Sequence, residues 1–169
     1  MKRKTGKTAS RADAVVREHV VHLLKGGNAH VGFDDAVEKL PAKRRGTFAK
    51  GLAHTPWQLL EHLRITQWDI LEFTRNPMHV SPEFPEGYWP EGTGPESDAA
   101  WQRSVQRFRE GQKAMIALVK NPRTDLYAKL PHGHGQTALQ EALLLADHNA
   151  YHIAQMVDVR RALGCWPHE

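Results

Sequence analysis

Two histidines four residues apart are the side chains of this sequence best suited to chemistry. They are His148 and His152, in Asp147-His148-Asn149-Ala150-Tyr151-His152-Ile153-Ala154-Gln155. On a helix that spacing puts both rings on one face, one turn apart. Neutral imidazole is the commonest protein metal ligand, and two such rings can grip one divalent ion and leave room for others. Spacing alone is a weak signal, because eleven histidines in 169 residues make such a pair easy to meet by chance. Position strengthens it. His148 and His152 share a stripe with Leu145, Met156 and Val159, which should face a core. Buried imidazoles must have their polar atoms satisfied, and a shared metal would satisfy both. Two core histidines bonded to backbone or water are the plainer alternative.

A third ligand must come from another helix. His62 is the leading candidate, because it lies among Leu59, Leu63 and Ile65 on an apolar band. His19 and His22, three apart near the N-terminus, are weaker candidates. His30 follows Gly26-Gly27-Asn28-Ala29 in a loop and could approach a site at the end of a bundle. His132 and His134 flank glycines and should be exposed. His54, His79 and His168 stand at element ends and carry no signal. Glu61, Asp69 and Glu72 read as a solvated helix face. There is no phosphate-binding loop, paired-cysteine motif or nucleophile elbow.

The elements that must position these residues read as four long helices. Ser10 caps the first, Val15, Val16, His19, Val20, Leu23 and Leu24 form its stripe, and Gly26-Gly27 ends it. A short helix over 34–40 follows, stopped by Pro41, and then a basic cluster, Lys43-Arg44-Arg45, that reads as a solvated loop. The second long helix has Thr55 as N-cap, Pro56 at its first position and Gln58 completing a capping box; Asn76-Pro77 closes it. Residues 78–96 hold four prolines and three glycines, so they are irregular, yet Phe84, Tyr88 and Trp89 predict an ordered loop across the bundle that caps one mouth of a pocket. The third long helix starts at Ser97 or Asp98, buries Trp101, Val105, Phe108, Met115, Ile116 and Val119, and ends at Asn121-Pro122. The fourth starts at Thr137, with Gln140 at the capping-box position, and runs to Leu163 before Gly164.

The expected fold is therefore all-α, a four-helix bundle. Long connections after helices one and two permit crossovers. A basic tail over residues 1–10 should be disordered, with one domain over 11–169. Apolar residues at 40% and charged residues at 25% suit a globular protein rather than a disordered one. Mean hydropathy of −0.57 and the lack of a long apolar run predict no membrane span, and no apolar stretch follows the basic start, so no signal peptide is expected. The net charge of +4 is matched by Lys2, Arg3, Lys4 and Lys7 in the tail, which leaves the body near neutral and argues against nucleic-acid binding. A single cysteine, Cys165, allows no internal disulfide and fits a cytoplasmic location; it reads as an incidental thiol.

Two blocks resemble the DinB/YfiT-like superfamily: Pro56-Trp57-Gln58-Leu59-Leu60-Glu61-His62-Leu63, and His148-Asn149-Ala150-Tyr151-His152-Ile153-Ala154-Gln155 with the ending Arg161-Ala162-Leu163-Gly164. The resemblance covers about Ala12 to Trp166. It implies a four-helix bundle of that type with long crossover connections, holding one divalent metal on His62, His148 and His152. Zinc or nickel is the expected ion, with iron or manganese as alternatives. Gln155, one turn beyond His152, could orient a ring. The resemblance further implies a metal-dependent enzyme acting on a small molecule, either a transferase using a low-molecular-weight thiol or a metal-assisted hydrolase, and often a homodimer. The rival reading is a non-catalytic metal- or ligand-binding bundle, a dimeric stress-related protein.

Overall fold

A computed structural model describes residues 10–167, and these form five α-helices with no strand among them. Of the tail expected over residues 1–10, all but Ser10 lies outside the described residues. Helix α1 spans Arg11–Lys25, α2 Phe33–Val37, α3 Pro56–Arg75, α4 Asp98–Lys120 and α5 Ala138–Ala162. The local start signals act as read. Oγ of Ser10 accepts from the Asp13 N–H, Ser97 from Ala100 and Thr137 from Gln140. At α3 the capping box is complete: Thr55 Oγ1 accepts from the Gln58 N–H, and Gln58 Oε1 accepts from the Thr55 N–H.

Helix α1 is rotated from its expected facing. Val20, Val21 and Leu24 are buried, but Val15, His19 and Leu23 are exposed. The reason is polar. Asp13 and Arg17 lie on the inner face, with Arg17 Nε 2.8 Å from Asp13 Oδ2. The same guanidinium donates to the carbonyls of Val119, Asn121 and Thr124 at 2.6, 3.0 and 2.7 Å. These carbonyls end or follow α4, where helical partners run out and partial negative charge accumulates. Satisfying them fixes which side of α1 turns inward.

Helices α1 and α3 each pack against both α4 and α5, while α2 leans on α5. The long helices thus run α1, α4, α3, α5 around the core. Connections 26–55 and 121–137 cross the assembly. Connection 76–97 joins neighbours. The crossovers therefore follow the first and third long helices, rather than the first and second. Segment 76–97, not needed to span the core, is free to lie over α3.

The basic cluster is not merely solvated. Ala42–Arg44 is a turn of 3-10 helix, and Arg45 pairs with Asp98 at 2.7 Å while lying 4.9 Å over the Trp101 ring.

The core has two apolar parts. One gathers Leu59, Leu60 and Leu63 of α3 with Ile153, Met156 and Val159 of α5. The other gathers Ile70 and Leu71 with Ala138, Ala142 and Leu145. Leu59 to Leu63 meet the later part of α5 and Ile70–Leu71 the earlier part, so the two helices run antiparallel. Between the two parts lies a polar belt: His62, Thr66 and Gln67 on α3 face His148, Asn149 and His152 on α5. Gln67 holds the belt to α4, donating to the Phe108 carbonyl at 2.6 Å and accepting from Asn149 at 3.2 Å.

Candidate metal centre

Three imidazoles meet in that belt. Nε2 of His62 lies 3.1 Å from Nε2 of His152 and 3.0 Å from Nε2 of His148. One ring nitrogen from each lies within 4.8 Å of the others. His62 comes from the middle of α3 and the other two from successive turns of α5, so the antiparallel pairing of two rigid helices creates the cluster.

The far side of two rings is already committed. Nδ1 of His62 donates to the Tyr88 carbonyl at 2.9 Å, and Nδ1 of His152 donates to Gln155 Oε1 at 2.7 Å. A neutral imidazole carries one proton, so these two rings turn bare Nε2 lone pairs toward each other. Nδ1 of His148 is buried with no well-formed hydrogen bond among the described residues. Burial, and then the neighbouring His152 and His62, push the His148 pKa down to about 3, although the Asn149 side chain acts the other way. Burial likewise lowers His62 to about 4, with the Tyr88 carbonyl opposing and His152 and His54 reinforcing. His152 is lowered mainly by burial, against the pull of Gln155. Protons are therefore poor occupants of the space between the rings. Converging lone pairs on neutral imidazoles repel one another unless a cation lies between them, and nitrogens at 2.0–2.1 Å from one ion would stand roughly 3.0–3.4 Å apart. The donor set, and the two spacings of 3.1 and 3.0 Å about His62 Nε2, fit a divalent ion.

The aromatic loop covers this cluster. Trp89 stacks on His62, with centroids 3.9 Å apart and planes within 1°. It also stacks on His54 at 4.0 Å and 15°. Tyr151 presents its edge to His152 at 4.9 Å. A cavity of about 320 Å³ is lined by His54, Gln155, Leu59 and Asp158 among others; it meets the neighbours of the three rings and not the rings themselves.

The other candidates go elsewhere. His30 is exposed, its Nδ1 2.8 Å from the Val31 carbonyl. It is not part of the three-histidine group, which lies between α3 and α5 under Trp89 of the aromatic loop. His19 and His22 are exposed along α1, lining a surface groove of about 690 Å³ with Lys25 and Lys120. His134 is exposed as expected, but His132 is partly buried, with Nε2 donating to the Phe73 carbonyl at 2.6 Å. Cys165 packs half-buried against the core.

Several site residues were missed. His54, at an element end with no signal in the sequence, touches the aromatic cover. Glu61 and Asp69 do not form a solvated face: they are buried, at 8% and 7% exposure. Glu61 is gripped by both Nε and Nη2 of Arg64 at 2.9 and 2.7 Å. Asp69 accepts from His79 Nε2 at 2.7 Å and from the Tyr88 hydroxyl at 2.6 Å, which makes His79 a partner too. The one available signal was that Asp69 stands seven residues after His62, two turns along the same face of α3.

An all-helical scaffold thus carries a group of three buried and half-buried histidines that could hold a metal ion. The chain belongs to the DinB superfamily, whose family model matches residues 29–156. No curated protein and no solved structure matches it significantly. No helix among the described residues is long and apolar enough to cross a membrane.

Proposed function

We propose that this protein is a metal-dependent enzyme of the DinB superfamily, binding one divalent ion through Nε2 of His62, His148 and His152. One observation carries the reading: two of the three rings are held from behind by acceptors, Tyr88 and Gln155, so that their unprotonated nitrogens point at a common space. The family resemblance makes zinc or nickel the ion we favour, with iron or manganese as alternatives; imidazole donors suit zinc, nickel and iron alike. Three protein ligands leave positions open, as catalytic rather than structural sites do. A bound ion supplies Lewis acidity toward a thiol, carbonyl or water.

The chain's own residues would divide the remaining work. Gln155 and the Tyr88 carbonyl orient rings and fix tautomers. Trp89 excludes water from one side of His62. The cavity beside His54 and Gln155 is of a size for a small molecule or part of one. The reaction class we favour is transfer involving a low-molecular-weight thiol, or metal-assisted hydrolysis, in a cytoplasmic homodimer.

Elemental analysis of protein purified without a histidine tag tests this. About one zinc or nickel per chain is expected, and near zero in His148→Ala/His152→Ala. Failure of the wild-type chain to take up zinc, nickel, iron or manganese on reconstitution would refute it. Stoichiometric metal with no exogenous ligand ever reaching the ion would instead favour a non-catalytic metal-binding protein.

A further inference from the structure

We propose that Asp69 is a positioning residue for the three-histidine centre, acting through Tyr88 to fix the imidazole of His62. The inference rests on the metal reading above.

Asp69 is a buried carboxylate, and burying a charge is costly unless hydrogen bonds replace its water. Both replacements come from the loop that follows α3. His79, near the start of that loop, donates to Oδ1 at 2.7 Å; Tyr88, just past its middle, donates to Oδ2 at 2.6 Å. Burial and then Asp69 push the Tyr88 phenol up to about 12, so it remains a donor. These short bonds are in the charge-assisted range. They pin the loop at two points about ten residues apart, and helix α3 needs neither for its own capping.

The second pin falls on the residue that matters. The Tyr88 carbonyl takes the Nδ1 proton of His62 at 2.9 Å, and the next residue, Trp89, lies flat on the same ring. An imidazole turns about a broad, roughly two-fold χ2 torsion, so a fixed acceptor at Nδ1 is what points Nε2 at His148 and His152. Trp89, packed on the core and stacked on His54 and His62, anchors the same part of the loop, while Met78, Val80 and Phe84 before it are 80–84% exposed, so between His79 and Trp89 the bonds to Asp69 are the side-chain pins. The carboxylate therefore sets a ligand it does not touch, through one side chain and that residue's own backbone.

Zinc affinity, measured on the full chain by competition with a chromophoric chelator, tests this directly. Tyr88→Phe keeps the carbonyl and the ring but removes the bond to Asp69. It should bind zinc about tenfold more weakly, or worse, as should Asp69→Ala. Asp69→Asn, whose amide oxygen can still accept the phenol proton, should recover much of the loss. In ¹⁵N-labelled, metal-free protein the His62 Nδ1–H signal should be protected in the wild type and exchange-broadened in Tyr88→Phe. A purely structural role would lower the melting temperature of the metal-free variants and leave zinc affinity at the wild-type value. That result, in folded Tyr88→Phe, overturns the proposal even if Asp69→Ala fails to fold. His62→Ala separates the two claims. If wild type binds zinc, His62→Ala does not, and Tyr88→Phe matches wild type, the relay alone falls. If wild type binds no zinc, the three-histidine reading falls and the relay with it.

Discussion

Trp89 lies flat on His62, 3.9 Å between centroids and 1° between planes, so one face of a metal-ligand candidate is sealed by an indole from a loop. Such pairs contribute about 1 kcal/mol beyond the area they bury. Trp89→Leu should therefore weaken zinc binding about fivefold and speed metal loss to a chelator, while keeping one ion per chain. Trp89→Phe should retain most of the wild-type affinity. Identical affinity and exchange rate in Trp89→Leu would reduce the indole to lining.

The three rings make the metal-free protein acid-sensitive. Burial lowers the folded-state pKa of His62 to about 4 and of His148 to about 3, from 6.5, and lowers His152 as well. In the unfolded chain each ring takes a proton near 6.5, whereas the folded rings stay neutral. Between those limits the unfolded state binds more protons, so stability is full above about pH 6.5 and is lost as pH falls toward the folded values. The urea midpoint of metal-free protein should be lower at about pH 5 than at about pH 7.5. His62→Ala/His148→Ala should flatten that slope. Protons compete for the ligand nitrogens of the folded protein only near those lowered values, so its zinc affinity should hold through most of this window and fall as the folded-state values are approached. Midpoints that do not move between the two pH values would contradict neutral, buried rings.

What could be read in the sequence divides along the distance over which each feature is decided. Thr55, Pro56 and Gln58 declare the start of α3 within four residues, because a capping box is a local bond pattern. His62, His148 and His152 were findable as polar residues on apolar stripes. The facing of α1 was not, because Val15 and Leu23 lose to Arg17, whose carbonyl partners lie more than a hundred residues away. Asp69 and His79 escaped for the same reason: helix periodicity cannot tell a solvated carboxylate from one sealed by a loop. The Tyr88 contact to His62 is made by a backbone carbonyl, which has no side-chain signature at all.

Arg17 should be among the costliest single losses outside the centre. Its guanidinium neutralises Asp13 and satisfies carbonyls at the end of α4. Removing one partner of a buried pair strands the other charge. Arg17→Ala should therefore destabilise by about 3 kcal/mol in urea denaturation. Arg17→Lys should recover only part, since an ammonium lacks the planar fork. Zinc affinity of the folded variant should match wild type, because α1 supplies none of the three rings. A loss below about 1 kcal/mol would mean that water replaces the guanidinium at little cost.

Gln155 offers the cleanest test of orientation from within α5. Its Oε1 accepts from His152 Nδ1 at 2.7 Å, one turn along the same helix. Gln155→Leu removes the acceptor from a part-buried N–H and frees the ring, so zinc binding should weaken about tenfold. Gln155→Glu keeps the acceptor and adds charge; a carboxylate makes the stronger bond and raises the basicity of the opposite nitrogen. That variant should bind zinc at least as tightly as wild type near neutral pH, and its His152 should titrate at higher pH in the metal-free protein. The opposite order, leucine tighter than glutamate, would show that Gln155 serves the adjoining cavity and not the ring.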